Sequence, residues 1–190
     1  MQTLPAIDPL KATGAAKQVL ERVGQRIGWV PKMITLLANS PAATEAYLQL
    51  NVALAHAALP RHTRSLIAAA VAELNGCNYS AMIARGQAEE AGISEDAIAD
   101  ARRVTSKDPK VAAALLFAAK LIEQRGKLPP SEVGELRRAG YSDTEIVDII
   151  ATVVLSLFRN YFNLVAGTEI ELVTKPNSVV RSANSAKADV

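Results

Sequence analysis

Apolar residues recur along this chain at three- and four-residue intervals, and no segment alternates with the period of two that a half-buried strand needs. Between Leu10 and Ile27, the residues Ala15, Val19, Val23 and Ile27 fall at fourfold spacing, which predicts one face of a first helix. Trp29-Val30-Pro31 interrupts it, and Lys32 to Ala38 reads as a short second helix. Ser40 followed by Pro41 supplies an N-cap and a first-turn proline for a helix to about Ala58. Pro60 opens the next, through Ala70 to about Asn75. Gly76 marks a break before a helix from about Asn78 to Ala91, which Gly92 ends. Ser94 caps a short helix, and Asp108-Pro109 starts one that runs to Gly126. Pro129-Pro130-Ser131 opens another, ending near Gly140. Ser142-Asp143-Thr144-Glu145 fits the capping box, and the helix behind it extends to Ala166.

This pattern predicts an all-α bundle in one domain, residues 1–174, with a polar, small-residue-rich flexible tail over 175–190. Composition agrees: aromatic residues are 4 % of the chain, while alanine and leucine abound, a mix that favours close helix packing over sheet. A long apolar helix ends in Asn78-Tyr79 in the first half and in Asn160-Tyr161 in the second. Two helical hairpins about a pseudo-twofold would produce that echo, and so would chance.

Charge narrows the function classes. The formal net charge is +2, with both signs interspersed and no block of like charge, so the footprint of a nucleic-acid binder is missing. Met1 to Leu10 holds no apolar run and does not read as a signal peptide. The most apolar stretch, Ile146 to Phe158, is shorter than the roughly 20 residues needed to cross a bilayer and contains Asp148. The expectation is a cytoplasmic protein without membrane or nucleic-acid partners. The single cysteine, Cys77, cannot form an intramolecular disulfide or a cysteine-rich zinc site. The two histidines lack a clustered carboxylate, so no metal is expected.

The segment Leu59 to Ser94, LPRHTRSLIAAAVAELNGCNYSAMIARGQAEEAGIS, resembles the core of the AhpD/carboxymuconolactone decarboxylase superfamily. Gly28-Trp29-Val30-Pro31-Lys32-Met33 with Asn39-Ser40-Pro41, and Arg159-Asn160-Tyr161-Phe162-Asn163 with Ala166-Gly167-Thr168-Glu169, are similar to that family's first and last segments. The resemblance covers most of residues 5–172 and implies an AhpD-like helical bundle assembled as a homo-oligomer. The family's peroxidase-like members carry a glutamate, a C-x-x-C pair and a histidine. Their positions fall here on Ser65, Cys77, Ser80 and Ala84, so only the first cysteine is kept. A thiol peroxidase needs a thiolate to attack peroxide, a second thiol to resolve the sulfenic acid, and a base, because a free thiol is mostly protonated at neutral pH. Serine can supply none of these, and dithiol peroxidase chemistry is not expected.

The candidate residues follow from the same core. Glu73 lies four residues before Cys77, one helical turn away if the helix continues through Gly76. There it is a general base or, as a neighbouring carboxylate, disfavours a thiolate; the simpler reading is a surface glutamate beside a structural cysteine. His62, three residues before Ser65, is a second candidate for proton transfer, and His56 suits a helix terminus. Ser65 and Ser80 are placed to hold a substrate oxygen or to pack between helices, and Ala84 leaves space where the family has an imidazole. Arg85 follows it and can reach an anionic substrate or form a surface pair. Trp29 and Tyr79 either line the cleft or anchor packing. Ile67, Val71, Leu74 and Met82 read as core.

Three functions fit these residues. The first is a carboxymuconolactone decarboxylase-like, cofactor-independent enzyme of lyase, decarboxylase or isomerase type. It acts on a small carbonyl- or carboxylate-bearing molecule, with Glu73 or His62 moving protons and Ser65, Ser80 or Arg85 holding the oxyanion. The second is a one-cysteine or vestigial alkyl hydroperoxidase using Cys77. The third is a non-catalytic ligand-binding or scaffold member of the fold.

Overall fold

The computed structural model describes residues 1–170, and the expected tail over 175–190 lies outside them. Nine helices and no strand occur among the described residues. In chain order they are α1 (Gly14–Ile27), α2 (Lys32–Leu37), α3 (Pro41–Ala55), α4 (Arg61–Leu74), α5 (Asn78–Glu90), α6 (Glu95–Arg102), α7 (Pro109–Glu123), α8 (Pro130–Arg138) and α9 (Asp143–Ala166).

Helix α4 is the hub, packed on α5, α6, α7 and α9. Its run Ser65 to Ala72 is buried on every side, which its small residues permit because neighbouring backbones can approach closely. Around it gathers the main core, with Leu66, Ile67, Leu115, Leu136, Ile149 and Val153 fully enclosed. A smaller cluster ties α1 to α2 and α3 through Val19, Leu20, Val23 and Ile34. A third, Met33, Leu37, Cys77 and Tyr79, joins the two.

Local chemistry sets the ends. The capping box at Ser142 and Glu145 forms as the sequence predicts, with each side chain bonded to the other residue's backbone N–H. α1 starts at Gly14 rather than Leu10, because Asp8 captures the Leu10 and Lys11 N–H groups in a turn that competes with helix. Within α1, Val19, Leu20 and Val23 are buried, whereas Ala15 and Ile27 are exposed. α3 stops before Ala58: Leu59 precedes a proline, and its N–H donates to Asp148 Oδ2 at 3.0 Å. At Gly76 the backbone turns left-handed (φ 61°), and Cys77 N–H returns to the Ala72 carbonyl at 3.0 Å. The helix therefore does not continue through Gly76, and Leu74 is exposed rather than core.

Helix α9 is 24 residues long and, by length and composition, apolar enough to cross a bilayer, which the shorter apolar run counted in the sequence does not indicate. What it buries belongs to a protein interior: Thr152, Ser156, Arg159, Asn160 and Asn163 face inward alongside Ile146, Ile149 and Val153. Asn160 Nδ2 donates to the Val71 carbonyl of α4 at 3.0 Å. The outward side carries Val147, Val154, Phe158, Tyr161, Leu164 and Val165. At its C-terminus, Thr3 N–H and Oγ1 donate to the carbonyls of Ala166 (3.0 Å) and Val165 (2.7 Å), capping two of the helix's last acceptors.

Candidate functional site

Between α1–α3 on one side and α5 and α9 on the other lies a cavity of about 830 Å³. It opens where the smaller core meets the larger, and each wall follows from an element already placed. The turn after α1, enforced by left-handed Gly28 (φ 84°), carries Trp29 and Pro31 into the lining. α2 contributes Met33 and Ile34, and α3 contributes Tyr47, Leu48, Asn51 and Val52. Tyr79, Met82 and Ile83 come from α5. Two contacts fix these walls. Tyr47 stacks on Phe158 of α9 with ring centroids 5.7 Å apart, and Met33 N–H donates to Tyr79 Oη at 3.3 Å.

The lining is mostly apolar and aromatic, with charge at few points. Arg26 and Glu90 are exposed lining residues, and Glu90 lies 3.9 Å from Arg61. The third charge, Arg159, is different: it lines the cavity while only 6 % exposed. A cavity of this size with a few polar groups in an apolar wall is the usual form of a small-molecule site.

Against this geometry the sequence-predicted residues divide. Trp29 and Tyr79 line the cavity. Cys77 and Ser80 do not; they are 2 % and 0 % exposed, with the Cys77 thiol donating to Ser80 Oγ at 3.2 Å. Cys77 packs with Met33 and Tyr79, which do reach the cavity. Asn163 Nδ2 adds a 3.4 Å bond to Ser80 Oγ and a 3.5 Å contact to Met33 Sδ, so a short polar seam of Cys77, Ser80 and Asn163 is closed into the protein.

The other candidates lie elsewhere. Glu73 is on the surface, paired with Arg102 at 2.7 Å, because the Gly76 turn removes the helical register that would have set it beside Cys77. His62 is exposed on the first turn of α4, and His56 is the exposed C-cap of α3. Arg85 is exposed and bound by Glu89 at 2.9 Å and Glu95 at 2.8 Å; these hydrogen bonds, Glu89's first, raise its pKa and hold it charged away from the cavity. Ser65 is buried within α4, and Ala84 sits fully enclosed in the main core, so its small side chain closes packing rather than enlarging the pocket. No group of three His, Cys, Asp or Glu side chains suited to a metal occurs among the described residues.

The residue missed from sequence is Arg159. Its signal was present: a lone cation inside the most apolar helix, at a position where a surface role would face it outward.

Comparison with known proteins places this architecture. The carboxymuconolactone decarboxylase family model matches residues 41–124, which hold α3 to α7. A peroxidase-related protein of Ralstonia eutropha JMP134 with an alkylhydroperoxidase AhpD core is 21 % identical over 90 % of this chain and 92 % of its own, with TM-score 0.77. A peroxidase-related protein from Silicibacter sp. TM1040 is 21 % identical over 89 % and 90 %, with TM-score 0.76. The debrominase Bmp8, as a cysteine-to-alanine variant in complex with 2,3,4-tribromopyrrole, is 22 % identical over 90 % and 94 %, with TM-score 0.75. No curated protein matches the sequence. The carboxymuconolactone decarboxylase family model thus matches the central helices, and the described residues share the AhpD-like helical bundle of these solved structures.

Proposed function

We propose that this protein takes a small organic molecule, carbonyl- or carboxylate-bearing, into the cavity beside α9. It acts there as a cofactor-independent enzyme of the lyase, decarboxylase or isomerase type. The cavity carries the proposal: about 830 Å³ walled by Trp29, Tyr47 and Tyr79 suits one ring-sized molecule in apolar surroundings. The family name is that of a decarboxylase, and the similar debrominase holds a small halogenated ring, so substrates of this size suit the fold. The thiol geometry points the same way. Cys77 is enclosed, donates to Ser80 and has no second thiol in the chain, an arrangement unsuited to peroxide turnover.

A second reading, a ligand-binding member without catalysis, is favoured by one observation. The two expected proton carriers, Glu73 and His62, are outside the cavity. The test is consumption of a panel of small lactones and keto acids followed by mass spectrometry, beside peroxide consumption with excess dithiothreitol in wild type and Cys77→Ala. Turnover of a panel member without peroxide turnover is expected. Binding without turnover selects the second reading, and cysteine-dependent peroxide turnover overturns both.

Assembly belongs to the same proposal. The exposed apolar side of α9 is suited to pack against a second copy. Light scattering after size exclusion should show a homo-oligomer that Val154→Glu or Val165→Glu dissociates.

A further inference from the structure

Arg159 is the one feature of the cavity that the fold does not account for. Its side chain is 94 % removed from solvent, and its Nε and Nη2 atoms have no hydrogen-bond partner among the described residues. Those two atoms are not an arbitrary pair. The planarity of the guanidinium sets the Nε–H and one Nη2–H parallel along a single edge, the fork that receives both oxygens of a carboxylate. A buried cation without a partner is strongly disfavoured, and cavity-lining sites that hold one gain when an anion arrives. Neighbours on α9 hold the helix in place: Asn160 is bonded to α4, Asn163 contacts Ser80 and Met33, and Phe158 is stacked on Tyr47.

We infer that Arg159 is the anchor for a carboxylate on the cavity's ligand, whose apolar body lies against Trp29, Tyr47 and Tyr79; Nε and Nη2 are enclosed in the unliganded chain, so the guanidinium turns to present that edge when the anion enters. This rests on the proposal that the cavity is the ligand site and narrows its substrate class to small apolar monocarboxylates. A single fork in an apolar wall matches one negative charge. A polyanion would bring further charge that the enclosed part of the wall does not offset.

The chain contains one tryptophan, Trp29, and it lines the cavity, so its emission reports occupancy directly. The probes are cyclohexanecarboxylate and heptanoate, a cyclic and a linear acid of equal carbon number, each titrated beside its own neutral amide. In wild type at least one acid is expected to bind about 10- to 100-fold tighter than its amide, the range for one bidentate charge-assisted contact. Arg159→Met should abolish that ratio, the acid losing far more affinity than its amide, and Arg159→Lys, which keeps the charge and loses the fork, should retain only part of it. A separate readout needs no ligand: unliganded Arg159→Met should melt about 2–4 °C higher than wild type, because a lone buried cation has been removed. Equal affinity for acid and amide overturns the anchor and leaves the cavity as the ligand site. Failure of all four probes to perturb Trp29 up to their solubility overturns both. A lower melting temperature in Arg159→Met makes the guanidinium a structural element and overturns the anchor.

Discussion

Gly167 ends α9 in a left-handed conformation (φ 61°), and a Cβ built on it would lie 2.2 Å from the Met1 carbonyl oxygen and 3.1 Å from Gln2 Cα. Those are backbone atoms and cannot swing aside, so Gly167→Ala must lift the N-terminal segment off the helix end. Two costs then add. Holding alanine at left-handed φ costs about 1–2 kcal/mol. Losing the two bonds from Thr3 to the carbonyls of Val165 and Ala166 removes about 1–3 kcal/mol, at a net 0.5–1.5 each. Gly140 supplies the control, since it is also left-handed (φ 89°) and a Cβ there meets nothing within 4 Å. Urea unfolding followed by far-ultraviolet circular dichroism should therefore show Gly140→Ala destabilised by about 1–2 kcal/mol and Gly167→Ala by about 2–5 kcal/mol. A further prediction separates the terms: replacing Thr3 by alanine should cost little in the Gly167→Ala background, because its bonds are already gone. Equal losses at Gly140 and Gly167 would refute the docking of the N-terminal segment on α9.

Four further outcomes are expected. Cys77 should resist Ellman's reagent in the folded protein and react fully on denaturation, and Ser80→Ala should cost about 1–3 kcal/mol by leaving the buried Asn163 amide with only its contact to Met33 sulfur. Glu145 accepts from the Ser142 N–H, then from its hydroxyl and from Lys110, which hold its carboxyl below the ordinary carboxylate value despite some burial. Its contribution is thus complete above the unfolded value, about 4.3, and is lost as pH falls through the lower folded value; a urea series from pH 6 to 3 should show this slope weakened in Glu145→Gln. Asn160→Ala should lower stability by only about 1–2 kcal/mol in thermal melts, because the Val71 carbonyl keeps two donors from Asn75 and no acceptor is stranded.

Periodicity carried the fold because every element is helical and almost every end is marked by a proline, a glycine or a capping serine. The exceptions show what local reading omits. The first turn of α1 was lost to an aspartate turn, and the end of α3 depends partly on Asp148, far along the chain. The site was less legible for a related reason. Glu73, His62, Ser65 and Arg85 were gathered around Cys77 by sequence proximity and by the family motif, whereas the cavity draws on five helices and the loop after α1. Arg85 had nearer carboxylates on α5 and at the start of α6, and Glu73 had Arg102. Arg159 lies 82 positions after Cys77 in the chain, and only the crossing of α9 beside α5 brings it to the wall that Tyr79 shares.

On the C-terminal half of α9 the usual relation between hydropathy and location is reversed. Ser156, Arg159, Asn160 and Asn163 are enclosed, while Val154, Tyr161, Leu164 and Val165 face outward, Val165 with 71 % of its surface free. Saturation mutagenesis scored by protein abundance should consequently give an inverted map there. Asn163 would tolerate few residues of any polarity, since its amide meets groups on two other helices. Leu164 and Val165 would accept glutamate or lysine with little loss of folded chain, unless assembly is required for survival in the cell. A substitution scale that weights loss of hydrophobicity would rank this helix backwards.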